Sequence, residues 1–213
     1  MSGGNADGIY TAIPLGWGDI PPPDTRIRWF TGDPDADPWQ WRHRVLNERD
    51  DVAYAKVFFR KGGYITREWY PYFLAARRDG ADFHYEYESG AISHYAKRIY
   101  AVLEANGAVP IENIKKLGGF TRKEKSRVES ALIELQTKLY ITICGSFQKI
   151  SRNGAEYGWT SNVFCTAETF WGSDVFEKAA KLSCDDAYDA ISERIYALNP
   201  DADDAKIHKF IMG

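Results

Sequence analysis

The sequence predicts an α+β protein, mainly α, in which an N-terminal helical region and C-terminal helices flank a winged helix-turn-helix core. Three observations point to it. Residues 91–170 read in order as helix, short extended piece, helix, turn, helix and hairpin. Ser93, the Thr121-Arg-Lys-Glu124 box and Asn153-Gly154 place a cap, a capping box and a hairpin turn at the junctions of that order. Apolar residues recur at three- and four-residue steps in both longer helices and alternate in the strand that follows. Independent local signals agreeing on one arrangement are what a foldable sequence supplies.

Residues 1–36 cluster Gly, Pro and Asp, as in Pro21-Pro-Pro-Asp24, so they read as an extended, turn-rich arm. Trp17, Trp29 and Phe30 are too apolar for a free tail, and the arm is expected to lie against the body. Asp37 as cap and Pro38 at the first helical position then open a helix that runs to about Glu48. Val52, Ala55 and Phe59 fall on one face of a second expected helix, Asp51–Arg60, which Gly62-Gly63 breaks. Thr66 caps a third, Arg67–Arg78, with Pro71 in its first turn or at a kink. Residues 37–90 thus form the N-terminal helical region.

In the central region Ser93 caps a helix whose buried stripe is Ile92, Tyr95, Ala96, Ile99, Tyr100 and Leu103. Asn106-Gly107 ends it. Ala108–Pro110 is extended, and a small helix runs from Ile111 to Leu117 before Gly118-Gly119. After the capping box, Val128, Ala131, Leu132, Leu135 and Leu139 mark the buried side of a long third helix. Tyr140–Cys144 is β-branched and alternating, hence a strand, and Tyr157–Thr166 is its hairpin partner. In residues 171–213, Ser173 and Ser183 start two helices, Asn199-Pro200 ends the second, and Asp203–Met212 is a short last one.

Composition narrows the function classes. Three cysteines, Cys144, Cys165 and Cys184, lack any CxxC spacing, and the four histidines lack ligand spacing, so free thiols, no metal and a cytoplasmic location are expected. No apolar run approaches the length of a membrane span, and no signal-like segment opens the chain. The phosphate-loop, dinucleotide and nucleophile-elbow motifs are missing, and no cofactor is expected. With a formal charge of −3, attraction to nucleic acid has to come from a local patch.

Residues 115–127 supply one. Lys115, Lys116, Arg122, Lys123, Lys125 and Arg127 stand against a single acid, Glu124, a local excess of five positive charges. On the third helix, Lys123, Ser126, Ser130, Glu134 and Thr137 lie opposite the apolar stripe, with Arg122 and Arg127 at its flanks. Small polar residues flanked by cations suit a groove of duplex DNA, and Lys149, Arg152 and Asn153 at the hairpin tip suit phosphate contact. A solvated charged face is the competing reading, and Glu134 favours it. Trp39-Gln40-Trp41 could stack on a displaced base while the Gln40 amide reads its edge. The two indoles cannot share a helical face, however, and packing against the body is the simpler reading.

The element order, with Asp37-Pro-Trp-Gln-Trp-Arg42, Ala96-Lys-Arg-Ile-Tyr100 and Glu156-Tyr-Gly-Trp159, resembles the AlkZ-related proteins, short relatives of the AlkZ-type DNA glycosylases. The resemblance implies a winged-helix fold and contact with double-stranded DNA, damaged or intact. In the full glycosylases a Gln-x-Gln type motif acts at the alkylated nucleotide. The three glutamines here, Gln40, Gln136 and Gln148, never fall two apart, so no catalytic residue carries over, and Gln40 is the one weak candidate. A DNA-binding protein is the expected function. A DNA-repair glycosylase with a divergent site and a protein-interaction module are its two alternatives.

Overall fold

Two antiparallel hairpins lie side by side and carry the rest of the chain. The computed structural model describes residues 31–33 and 37–213; apart from residues 31–33 the expected N-terminal arm lies outside them, as do the side chains of Trp39 and Trp41. The elements are α1 (Pro38–Glu48), β1 (Val52–Phe58), β2 (Lys61–Thr66), α2 (Tyr70–Arg78), α3 (Phe83–Glu88), α4 (His94–Asn106), β3 (Val109–Pro110) and α5 (Ile111–Leu117). A 3-10 turn (Arg122–Glu124) leads into α6 (Lys125–Thr137). Then follow β4 (Ile141–Ile150), β5 (Glu156–Thr166), α7 (Ala167–Trp171), α8 (Ser173–Ala179), α9 (Cys184–Leu198) and α10 (Asp204–Met212). Among the described residues the strands form one five-stranded sheet in the order β2-β1-β4-β5-β3.

Residues 51–60 are strand and turn, and the helix expected there is corrected. Ala53, Ala55 and Val57 are buried at a period of two, which overrides the three-residue spacing of Val52 and Ala55. Phe58 pairs with Lys61, so Phe59 and Arg60 form a two-residue loop, both left-handed at φ 51° and 60°. Gly62 and Gly63 break no helix. They lie within β2, where a side chain would collide with the rings of Tyr54 and Phe58.

The winged helix-turn-helix core expected over residues 91–170 is likewise not what the chain forms, although the α+β class stands. A wing ends a small sheet, whereas β4 and β5 sit in the interior of this one, between β1 and β3. Backbone pairing of β1 with β4 is confined to Tyr54 and Ile143, and side chains complete the seam. The Thr142 hydroxyl donates to the Tyr54 carbonyl at 3.1 Å. The Gln136 oxygen accepts the Lys56 amide at 3.0 Å, and the Thr137 hydroxyl donates to the Lys56 carbonyl at 3.1 Å. The second half of α6 is therefore a fastening to β1. Glu134 is occupied too: it accepts the Ser93 amide at 2.8 Å and the Ser93 hydroxyl at 2.7 Å. Expectation had left Glu134 and Thr137 facing outward.

Two apolar cores lie about this seam. One is nearly continuous in sequence, packing Ile99, Leu103, Ile114, Val128, Leu135, Ile141 and Phe164 from α4 to β5. The other joins sequence-distant pieces, with Val57, Ile65, Phe73 and Leu74 against Val175, Ile191, Ile195, Ile207 and Phe210. The end of α2 connects them. Arg77 donates to the carbonyls of Thr137 (2.6 Å), Ile211 (2.6 Å) and Phe210 (3.0 Å), the last turns of α6 and α10, which have no partners within their own helices. Arg78 donates to Lys138 (3.1 Å) and Leu139 (2.5 Å) and lies 3.8 Å from the centre of the Tyr140 ring.

Candidate nucleic-acid interface

The cationic run is assembled at the meeting of α4, α5 and α6. In α4, capped by Ser93 at 3.2 Å from the Ala96 amide, Tyr95 and Arg98 fall three apart and face the same way. Arg98 donates to the Gly118 carbonyl at 2.6 Å, closing the end of α5, and its guanidinium lies 4.3 Å from the centre of the Phe120 ring. The Gly119 φ of 62° turns the chain from α5 into the 3-10 turn.

Glu124, the single acid of the run, is directed inward. Its carboxylate accepts the Thr121 amide and hydroxyl, both at 2.7 Å, and the Tyr95 hydroxyl at 3.1 Å, with Arg98 at 3.6 Å. The Thr121 bonds, then Tyr95 and Arg98, hold its carboxyl down to about 2. This is the expected capping box. Tyr95 in turn accepts from Arg127 at 3.1 Å.

What remains outside is positive. Lys115, Phe120, Thr121, Arg122, Lys125 and Val128 line a cleft of about 180 Å³. Lys115, Lys116, Arg122 and Lys123 form no ion pair among the described residues, and Lys125 makes one exposed pair with Glu129 at 3.8 Å. Ser126 and Ser130 are exposed on the first turns of α6, on the face turned away from its buried stripe.

The hairpin residues reach the same neighbourhood by way of α5. Lys149 donates to Glu112 at 3.1 Å, one turn before Lys115 and Lys116, and the Ser161 hydroxyl reaches the same carboxylate at 2.9 Å. Burial favours the neutral acid at Glu112, but Lys149 and Ser161 outweigh it and the pKa is lowered. Lys149 thus carries a neutralised charge. Arg152 and Asn153 are exposed at the turn, where the Ser151 amide donates to Ala155 at 2.8 Å. Gln40 lies half-buried in the first turn of α1, and no bond joins it to this surface among the described residues. Tyr95, which the sequence placed only in a buried stripe, and Arg98, Phe120 and Glu112 were not read as site residues; their roles lie in contacts between elements, which spacing within one helix does not display.

These features define a class: an α+β protein of acidic composition whose described residues form a concentrated cationic cleft. Among the described residues it has no helix long and apolar enough to cross a membrane and no metal-ligating group of three or more acids, histidines and cysteines. The chain belongs to the AlkZ-related family, which matches residues 22–212. No curated protein and no solved structure matches it.

Proposed function

We propose that this protein binds duplex DNA along its phosphate backbone, through the surface made by the end of α5, the Arg122–Glu124 turn and the first turns of α6. The observation that carries the reading is the separation of charge: Glu124 is turned inward onto Thr121, while Lys115, Arg122 and Lys125 converge on one cleft. In a chain of net charge −3, such a concentration gives attraction a direction as well as a sign. Lys123 in the turn and Ser126, Arg127 and Ser130 on α6 extend the surface, and Arg152 and Asn153 extend it along the hairpin, beside Lys149, whose charge Glu112 neutralises. Membership of the AlkZ-related family supports DNA as the partner, since the AlkZ-type glycosylases it resembles act on DNA. Contacts of this kind position a duplex without reading its bases.

The test is a titration of labelled duplex DNA at several salt concentrations. Each phosphate contact contributes about −0.9 to the slope of log affinity against log salt. Lys115→Glu with Arg122→Glu is expected to weaken binding at low salt and flatten the slope by about 1.8. Lys181→Glu with Lys206→Glu makes the same change in net charge elsewhere and is expected to leave the slope alone. Equal loss in both double variants, or in neither, would refute the assignment of this surface.

A further inference from the structure

The geometry points to a second, separate binding site, for a small amphiphilic carboxylate: one aromatic ring or short alkyl chain held between the β1–β2 hairpin and α9, with its anionic head on Arg194. The cleft has a volume of about 190 Å³. Its floor is apolar, from Phe58, Ile65, Phe73, Ile195 and Phe210, all nearly inaccessible to solvent. Those rings brace one another. Phe58 stacks on Phe210 at 4.1 Å and meets Phe73 edge-on at 5.4 Å, while Phe73 meets Phe210 at 5.7 Å. A floor locked in this way does not readily collapse into the space above it.

Size and charge then set the ligand. An engineered apolar cavity of about 150 Å³ stays dry and takes up benzene, so this cleft accommodates one ring with a short arm. Arg194 is the only cation in the lining, is exposed, and forms no ion pair among the described residues. A guanidinium grips a carboxylate through two parallel hydrogen bonds, a geometry that a neutral group does not match. The rim adds the Thr66 side chain and Leu198. The site shares no lining residue with the cationic cleft and is built on the other apolar core, so it stands or falls independently of DNA binding.

The experiment is an amide-resolved NMR titration of the full chain with 3-phenylpropionate, alongside 3-phenylpropanamide as the neutral analogue. The expected result is saturable shifts at Ile65, Thr66, Arg194 and Ile195 with the acid, and binding at least about tenfold weaker with the amide. Arg194→Gln is expected to bring the acid down to the level of the amide. Leu198→Trp, a change at an already exposed position, is expected to fill the mouth and abolish binding of both. Equal affinity for acid and amide would overturn the anionic class of ligand. The absence of shifts at these residues would overturn the site, as would acid-induced shifts confined to Lys115 and Arg122.

Discussion

The side-chain oxygen of Gln136 in α6 accepts the backbone amide of Lys56 in β1, eighty positions away, at 3.0 Å. Its amide nitrogen meanwhile donates to the Leu132 carbonyl at 2.7 Å, and only 3% of the residue is exposed. One side chain thus completes a strand edge where backbone pairing with β4 has stopped. That bond is what separates α6 from a helix free to enter a groove along its whole length.

Gln136→Leu keeps the volume and removes both bonds. The Lys56 amide then loses its partner in a part-buried bond, a cost of about 0.5–1.5 kcal/mol. A lowered urea midpoint with an unchanged slope would report it. A midpoint equal to that of the parent would mean the amide finds another acceptor.

Glu124 sets a pH window. Its carboxyl titrates at about 2 in the fold against an ordinary value of 4.5, so it favours the folded state above that ordinary value. The benefit is lost as pH falls from 4.5 through about 2. The melting temperature of Glu124→Gln is expected to lie below that of the parent by a constant amount near neutrality, and the two curves are expected to converge toward pH 2. Curves that stay parallel across that range would assign the loss to something other than ionisation.

Glu112 neutralises Lys149, so removing its charge should release a cation beside the cleft. Glu112→Gln is expected to strengthen duplex DNA binding at low salt and steepen the salt slope by about 0.9, one phosphate contact. Glu112→Gln combined with Lys149→Gln is expected to return the slope to that of the parent. A single variant with unaltered slope would remove the hairpin from the interface.

The thiols should differ in reactivity. Cys144 is half-buried, and the neighbouring Cys165 thiol lowers its pKa. Burial raises that of Cys184, and Cys165 is buried and raised by the neighbouring Cys144 thiol, then by desolvation. Timed alkylation of the native protein, read by mass spectrometry, is expected to modify Cys144 first, Cys184 next and Cys165 last. Early modification of Cys165 would reveal an opening of the β4–β5 pair.

Much of the chain was legible because its signals are local. The Ser93 cap, the Thr121–Glu124 box, the Asn153-Gly154 turn and the helices from Ile111 and Asp203 each depend on residues a few positions apart, and each formed as expected. The β1–β2 hairpin was not legible. Its turn is Phe59-Arg60, neither of them a usual left-handed residue, and its paired glycines sit in a strand to make room for rings opposite. The cationic run was readable as composition. The partners that decide which of its charges are free, Ser93 for Glu134, Glu112 for Lys149 and Tyr95 for Arg127, come from other elements and cannot be read from spacing. The apolar cleft joins residues near 60 and near 195, and no local pattern announces it.

The two cores differ in when they can be completed. On a chain leaving the ribosome, every residue of the core from Phe83 to Phe164 is available once β5 has emerged, so that part can condense early. The other must wait for Ile207 and Phe210, and until then Val57, Ile65 and Phe73 have no lasting cover. While residues 167–210 are being made, the β1–β2 hairpin is a nascent apolar surface. It is there that a chaperone holding the newborn chain would be expected to bind.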